Sequence, residues 1–336
     1  TFSYKNKQEL VYKHIFTLKF MYSPKPLFLE RMQELLTNKE DYENYLIALK
    51  TPSLRSIRCN TIKISPEELK QRLEKRGWII SQPFKDHEEI FIIELNLLPG
   101  ELGKTIEHQL GYYYVQEITS MMPVLALNPK SNEIILDLCA SPGSKTTQIA
   151  AKMSNTGTII ANDKDIWRIQ ILAANLERCG ISNTIITKKD GMILAEKLAK
   201  EGFKFDKILL DVPCSGEGTF RSSPKGTQMW SINTIKKLSK IQKNLIKTAC
   251  NLLKDNGILV YSTCTHAPEE NEEIVDFAIK ELNLKVEAIN LPIKCRLGIK
   301  QWQNQVFDSQ VEHSCRIYPQ DNNSEGFFIA KLTKTQ

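Results

Sequence analysis

The chain reads as an α/β protein: a mostly parallel sheet covered by helices on both faces, preceded by a small α+β unit. Three observations predict this. From residue 133 onward short apolar runs alternate with helical segments, a small-residue turn at 137–146 follows the first run, and two later runs end in cysteine, at Cys214 and Cys264. Strands alternating with helices argue for parallel βαβ units, and such sheets keep ligands at the carboxyl ends of their strands. The 336 residues, 41% hydrophobic and 25% charged, are enough for two domains with a sizeable core.

The first unit is expected over residues 1–115. Residues 28–49 are helix-like and 55–64 strand-like. Ser65-Pro66-Glu67-Glu68 then has an N-cap serine, a first-turn proline and a capping-box glutamate, and Leu69 and Leu73 share the face of the helix it opens. Strands at 78–81 and 90–95 complete the unit. The boundary falls between 112 and 123, which leaves 116–336 as the larger domain.

In that domain strands are predicted at 133–138, 158–162, 184–187, 207–212 and 258–263, with helices at 166–179 and 234–253 between them. In the second helix Leu238, Ile241, Leu245, Ala249 and Leu252 form an apolar stripe, and Lys236, Lys240, Lys243 and Lys247 make a solvated outer face. Strands at 285–291 and 326–332 close the chain, with 292–324 read as irregular connection.

Composition narrows the function classes. A net charge of +6 is compatible with a local basic surface and does not by itself indicate nucleic-acid binding. The eight cysteines form no CxxC pair, so no zinc site is expected, and their irregular spacing points to reduced thiols and a cytoplasmic location. No run approaches the roughly 20 apolar residues of a membrane span, and residues 11–22 mix lysines into their apolar stretch and contain no signal-peptide core.

Chemistry concentrates at the strand ends. Asp137-Leu-Cys139-Ala-Ser-Pro-Gly143-Ser-Lys145-Thr146 lets backbone amides approach a ligand, and it matches neither GxGxxG nor GxxxxGK[ST]. The next strands end in Asp163 and Asp190, acids suited to ribose hydroxyls and an adenine amino group, or equally to capping the helices that follow. Together they point to an adenosine-bearing cofactor. Asp211-Val-Pro-Cys214 and Thr263-Cys264 end the fourth and fifth strands. Paired strands lie about 4.8 Å apart, so both thiols can line one crevice.

These motifs resemble the RNA cytosine-C5 methyltransferases of the NOL1/NOP2/Sun (RsmB/NOP) family. The likeness runs from Arg58-Cys-Asn60 through Tyr114-Val-Gln-Glu-Ile-Thr-Ser120 to Gly326-Phe-Phe-Ile-Ala-Lys331. It includes Asp211-Val-Pro-Cys-Ser-Gly216 and Tyr261-Ser-Thr-Cys-Thr265 followed by Pro268-Glu-Glu-Asn-Glu272. Ser144 stands where many members have a second glycine. The resemblance implies a class I S-adenosylmethionine-dependent methyltransferase, Rossmann-like with a mostly parallel seven-stranded sheet, behind a small N-terminal α+β RNA-binding domain. It implies no inserted or appended PUA domain, because 60–116 leaves no room and the tail after Ala330 is short.

The resemblance also assigns roles. Cys264 adds to carbon 6 of cytosine, Cys214 assists release of the carbon-5 proton, Asp211 bonds the base as a protonated acid, and Lys145 helps hold both. Cys139, Ala140, Ser141, Pro142, Gly143, Ser144 and Lys145 line S-adenosylmethionine near its methionine portion. Asp163 and Arg168 flank the ribose, Asp190 the adenine, and Asp211 borders the cofactor. Arg58, Asn60, Gln116, Arg221 and Lys225 are expected RNA contacts. The expected partner is RNA, transfer RNA first and ribosomal RNA second, with no membrane and no metal. The alternatives are a DNA cytosine methyltransferase and an RNA-binding assembly factor with a vestigial site.

Overall fold

The structure, a computed structural model, describes residues 23–334; the stretch 11–22 lies outside the described residues. Two helices open it, α1 (Pro26–Leu35) and α2 (Lys39–Lys50). The single helix expected over 28–49 is interrupted because Asn38 adopts an extended backbone and caps α2, its side chain accepting from the Asp41 amide at 3.2 Å. Both helices pack away from the small sheet: Phe28, Met32 and Tyr45 are buried with Phe220, Trp230, Ile235 and Tyr318 of the larger domain.

A four-stranded antiparallel sheet follows, in the order β2-β3-β1-β4, from β1 (Arg55–Cys59), β2 (Ile79–Ser81), β3 (Ile90–Leu95) and β4 (Tyr113–Val115). Helix α3 (Pro66–Lys75) begins as its sequence predicts, with Ser65 accepting from the Glu68 amide at 3.2 Å. Its Leu69 and Leu73 join Ile57, Trp78, Phe91 and Tyr113 in a core of their own. A short α4 (Ile106–Gln109) precedes β4, and α5 (Ile118–Leu127) leads into the main sheet.

That sheet has nine strands rather than the expected seven. Its parallel part is β9 (Leu253–Thr263), β8 (Phe205–Asp211), β5 (Ile134–Asp137), β6 (Thr158–Asp163) and β7 (Thr184–Lys188), in that spatial order. The last strand, β15 (Phe327–Lys334), runs antiparallel to β9 and pairs with both β10 (Leu284–Glu287) and β14 (Cys315–Ile317). The two additional strands are β14 and β11 (Arg296–Leu297), which come from the segment 292–324 read as irregular. That segment also holds a separate two-stranded ribbon, β12 (Gln301–Trp302) with β13 (Gln305–Val306), and the short helix α12 (Pro319–Asn322).

The reduced-thiol expectation is corrected there. Cys295 and Cys315 form a disulfide with Cα atoms 5.2 Å apart, because the pairing of Leu297 with Cys315 folds the preceding residues back across β14. The other six cysteines are free.

Helices cover both faces. The intervening ones are α6 (Ser144–Lys152), α7 (Ile166–Cys179), α8 (Gly191–Lys200), the short α9 (Gly226–Met229), α10 (Ile232–Cys250) and α11 (Glu272–Leu282). Strand alternation divides the core: Leu210 and Tyr261 face Leu245, Ala249 and Val275, whereas Leu209 and Val260 face Met121, Leu127 and Ile149. On α10 the buried face runs through Ile235, Ser239, Gln242, Leu245, Ile246 and Ala249, rotated from the predicted stripe. Lys236, Lys240 and Lys247 are exposed as expected, and Lys243 bonds Glu273 at 2.7 Å.

Candidate active site

Strand register brings the two thiols together. Asp211 of β8 lies beside Ser262 of β9, and each chain leaves its strand just beyond that pair. The sulfurs of Cys214 and Cys264 stand 3.1 Å apart, and the Cys264 amide donates to the Cys214 sulfur at 3.3 Å. The bond to Cys264, followed by burial, raises the Cys214 thiol well above its ordinary pKa and keeps it protonated.

Buried acids hold the two loops in register. Glu217, from the Cys214 loop, accepts from the Thr265 hydroxyl at 3.0 Å and the His266 amide at 3.1 Å, and from Trp230 Nε1 at 2.7 Å. Glu270, from the Cys264 side, accepts from the Ser215 amide at 3.0 Å and from Gln242 Nε2 at 2.8 Å. Burial raises the pKa of both, Glu270 to about 7. Asn271 clamps the residues flanking Cys264: Thr263 donates to its Oδ1 at 2.6 Å and its Nδ2 donates to the Thr265 carbonyl at 3.0 Å. Gly218 completes the contact, its amide donating to the Cys264 carbonyl at 2.9 Å.

Beside the thiols, Lys145 Nζ pairs with Asp211 Oδ2 at 2.7 Å and donates to Ser120 Oγ at 2.9 Å. The Ser262 hydroxyl donates to the other Asp211 oxygen at 2.7 Å. The ammonium also lies over the Phe327 ring, 5.4 Å from its centroid. Two thiols, a carboxyl and an ammonium thus share one crevice at the carboxyl ends of β8 and β9.

The adjoining crevice fits an adenosine-bearing sulfonium. Gly143 takes a left-handed backbone (φ 101°) where a Cβ would come within 2.9 Å of the Leu172 side chain, so a glycine there lets the turn into α6 pack closely on α7. The first-turn amides of α6 have no intrahelical acceptor and suit a carboxylate. Asp137 faces the same space: Thr146 bonds one carboxyl oxygen at 2.7 Å, the other is buried without a partner, and burial pushes its pKa up to about 7. Asp163 is bonded by Arg168 Nε at 2.9 Å, and Arg168 also donates to the Ser141 carbonyl at 2.6 Å. Ser141 and Ala140 are buried, Cys139 is half-buried, and burial raises the Cys139 thiol. Asp190 acts as the helix cap that its position equally allowed, accepting from the Met192 amide at 3.0 Å to start α8.

Four of the five residues expected to contact RNA are buried and bonded within the protein. Arg58 is buried and donates to Gln116 Oε1, to the Ser144 carbonyl at 2.8 Å and to Thr147 Oγ1 at 2.7 Å. Asn60 spends its amide on the Gly111 and Cys179 carbonyls, both at 2.8 Å. Gln116 donates to the Ser120 carbonyl and Gln148, both at 3.1 Å. Arg221 is buried among carbonyls, those of Thr51, Pro52 and Ser324 among them. These groups are buried and direct most of their donors to carbonyls and side chains of the protein, Arg58 Nε alone of their donors being buried without a partner among the described residues. Lys225 is exposed.

Sequence reasoning missed Ser120, Ser262, Glu217 and the roles of Glu270 and Asn271. Polar residues inside strand-end motifs were the available signal. Among the described residues no group of His, Cys, Asp or Glu could hold a metal, and no helix is long and apolar enough to cross a membrane.

The doubly wound sheet, the turn into α6 and the acids at successive strand ends define a class I S-adenosylmethionine-dependent methyltransferase. A family model described as 16S rRNA methyltransferase RsmB/F matches residues 124–333, and one for the N-terminal domain of 16S rRNA methyltransferase RsmF matches 25–118. The chain belongs to this RsmB/F family of RNA cytosine-C5 methyltransferases.

Among its relatives, a tRNA (cytosine(49)-C(5))-methyltransferase of Pyrococcus abyssi is 40% identical over 91% of this chain and 96% of its own. The ribosomal RNA small subunit methyltransferase F of Psychromonas ingrahamii is 40% identical over 92% of this chain and 63% of its own; this chain thus spans under two thirds of that relative. A methyltransferase homologue from Pyrococcus horikoshii superposes with a TM-score of 0.76 at 31% identity, covering 92% of this chain and 99% of that one. NSun6 from the same organism, solved with SFG, an analogue of S-adenosylmethionine, gives 0.77 at 27% identity, covering 92% and 98%.

Proposed function

We propose that the enzyme methylates carbon 5 of a cytosine in transfer RNA through a covalent adduct between Cys264 and carbon 6. The observation that carries this is the pair of sulfurs 3.1 Å apart beside the Lys145–Asp211 ion pair. One thiol would serve a simple transfer; two thiols next to a carboxyl fit a reaction that adds a nucleophile and must later remove it.

Carbon 5 of cytosine is a weak nucleophile until its ring loses aromaticity. Addition of the Cys264 sulfur to carbon 6 forms a C–S bond and moves the ring's electron pair toward carbon 5 and nitrogen 3. As the Cys264 proton passes to solvent, the Lys145 ammonium, held by Asp211 and Ser120, offsets the negative charge developing at that edge of the base, which Asp211 helps orient. S-adenosylmethionine would supply an electrophilic methyl group, and the chain would hold it by the first-turn amides of α6, by Asp163 with Arg168, and by the unpaired Asp137 oxygen. After transfer carbon 5 carries both methyl and proton. Loss of that proton to solvent, assisted by Cys214, restores the ring as the C–S bond breaks and its electron pair leaves with the Cys264 sulfur. The target base must leave its stack, at a cost smallest in loops and ends.

Transfer RNA comes first because the chain aligns with nearly the whole length of the Pyrococcus abyssi enzyme. Small-subunit ribosomal RNA is the second reading, supported by the family model and the Psychromonas ingrahamii relative. The test is transfer of labelled methyl from S-adenosylmethionine to size-separated total RNA, with bisulfite mapping. Label in transfer RNA at a cytosine, absent with Cys264→Ala, supports the proposal; label confined to ribosomal RNA selects the second reading. On a denaturing gel Cys214→Ala should leave a protein–RNA adduct and Cys264→Ala none. Absence of the adduct with a proven substrate overturns the role of Cys214.

A further inference from the structure

The N-terminal sheet reaches into the cofactor turn with two buried donors. Tyr114 of β4, 6% exposed, donates its hydroxyl to the Pro142 carbonyl at 3.2 Å. Arg58 of β1, 2% exposed, donates to the Ser144 carbonyl at 2.8 Å and to the Thr147 hydroxyl at 2.7 Å. The two strands are paired, with Arg58 opposite Tyr114, so their side chains arrive as a unit, the guanidinium 5.6 Å from the Tyr114 ring. Beside them α7 contributes Asn175, which donates to the same Pro142 carbonyl at 2.9 Å and to the Tyr114 hydroxyl at 3.1 Å, and Arg168, which donates to the Ser141 carbonyl at 2.6 Å.

We infer that Arg58 and Tyr114 are positioning residues for the cofactor, and that the N-terminal unit is a structural part of the cofactor site and not only an RNA-binding attachment. A planar trans peptide carries its carbonyl and the following N–H on opposite sides. Fixing the Ser144 carbonyl on Arg58 therefore fixes the direction of the Lys145 amide in the first turn of α6, one of the groups free to meet a carboxylate. The same strands extend toward the catalytic side: Gln116, bonded by Arg58, donates to the Ser120 carbonyl, and Ser120 Oγ accepts from Lys145. Burial lowers the Arg58 pKa to about 10, which leaves the guanidinium charged at neutral pH.

This rests on S-adenosylmethionine as cofactor and is independent of which RNA is methylated. The test is calorimetric titration of S-adenosylhomocysteine into the full chain, in parallel with RNA binding measured without cofactor. Tyr114→Phe keeps the ring and removes a hydroxyl that donates to the Pro142 carbonyl and accepts from Asn175 Nδ2 at 3.1 Å; it should weaken the cofactor analogue about three- to tenfold, with RNA affinity unchanged. Arg58→Lys should weaken it further, raising KM for S-adenosylmethionine by a larger factor than it lowers kcat. If Arg58→Lys fails to fold, Tyr114→Phe decides alone. Cofactor affinity within about twofold of the parent in a folded variant would overturn the inference, as would equal losses of cofactor and RNA affinity. A parent that binds the analogue and methylates no RNA would sink the proposed reaction and leave this inference standing.

Discussion

Gly218 and Gly326 make the closest backbone contact in the active site, and filling it should disable the enzyme. The Gly218 amide donates to the Cys264 carbonyl and the Gly326 amide to the Gly218 carbonyl, each at 2.9 Å. A Cβ on Gly218 would lie 2.2 Å from the Gly326 oxygen and 2.6 Å from its carbonyl carbon, both backbone atoms, whereas ordinary contact begins at 3.4 Å. No side-chain rotation relieves this, so the two segments must part by enough to break both hydrogen bonds. Two such bonds are worth about 1–3 kcal/mol together, and forced overpacking costs roughly 1–3 more. Gly218→Ala should therefore cost about 2–6 kcal/mol and lower the melting temperature by at least about 3 °C. Because the displaced atom is the carbonyl of Cys264, single-turnover methyl transfer should fall further, on the order of a hundredfold. Calorimetric unfolding and a rapid-quench methylation assay measure the two effects. A variant that melts within about 1 °C of the parent and transfers methyl at the parental rate would refute the steric argument.

Three further outcomes follow from buried charges. Arg316 and Glu272 form an ion pair with side chains 2% and 0% exposed, and Arg316 also donates to the His266 carbonyl at 3.0 Å; Arg316→Met should cost about 3–5 kcal/mol in urea unfolding, and adding Glu272→Gln should recover part of it. His266, stacked on Tyr318, is lowered by burial to about 3, so the unfolded chain binds its proton first and stability falls as pH drops below about 6.5, by up to about 1.4 kcal/mol per unit; His266→Gln should be less stable at pH 7 with a flatter acid limb, and an unchanged slope would count against the buried neutral imidazole. Glu270 has the opposite sign: raised by burial to about 7, it is the folded state that holds the proton, so its stabilising share is present in acid and lost as pH rises from the ordinary carboxyl range through about 7. Glu270→Gln should flatten that loss in a pH series of melting temperatures, while the Ser215 amide keeps an acceptor.

What was legible in the sequence was local. The Ser65 cap of α3, the tight turn at Gly143 and the strand ends at Asp163, Asp211 and Cys264 depend on a few neighbouring residues and on strand period, both of which a linear pattern records. The pairing of Cys214 with Cys264 was foreseeable because adjacent parallel strands leave their ends side by side. Asn38 broke an expected helix, and 292–324 yielded strands and a disulfide, because short segments take structure from the edge they pack against.

The sequence by itself therefore determined which residue types stand at the strand ends and in which order, which pointed to an adenosine-bearing cofactor and two neighbouring thiols, while the resemblance of those motifs to a known family implied the methyltransferase fold. Only the tertiary structure decided what the polar residues of the N-terminal unit do. Arg58, Asn60 and Gln116 look alike whether they face solvent or a carbonyl, and their use follows from docking β1 and β4 against the larger domain, where buried polar groups are stabilised by bonding carbonyls and one another.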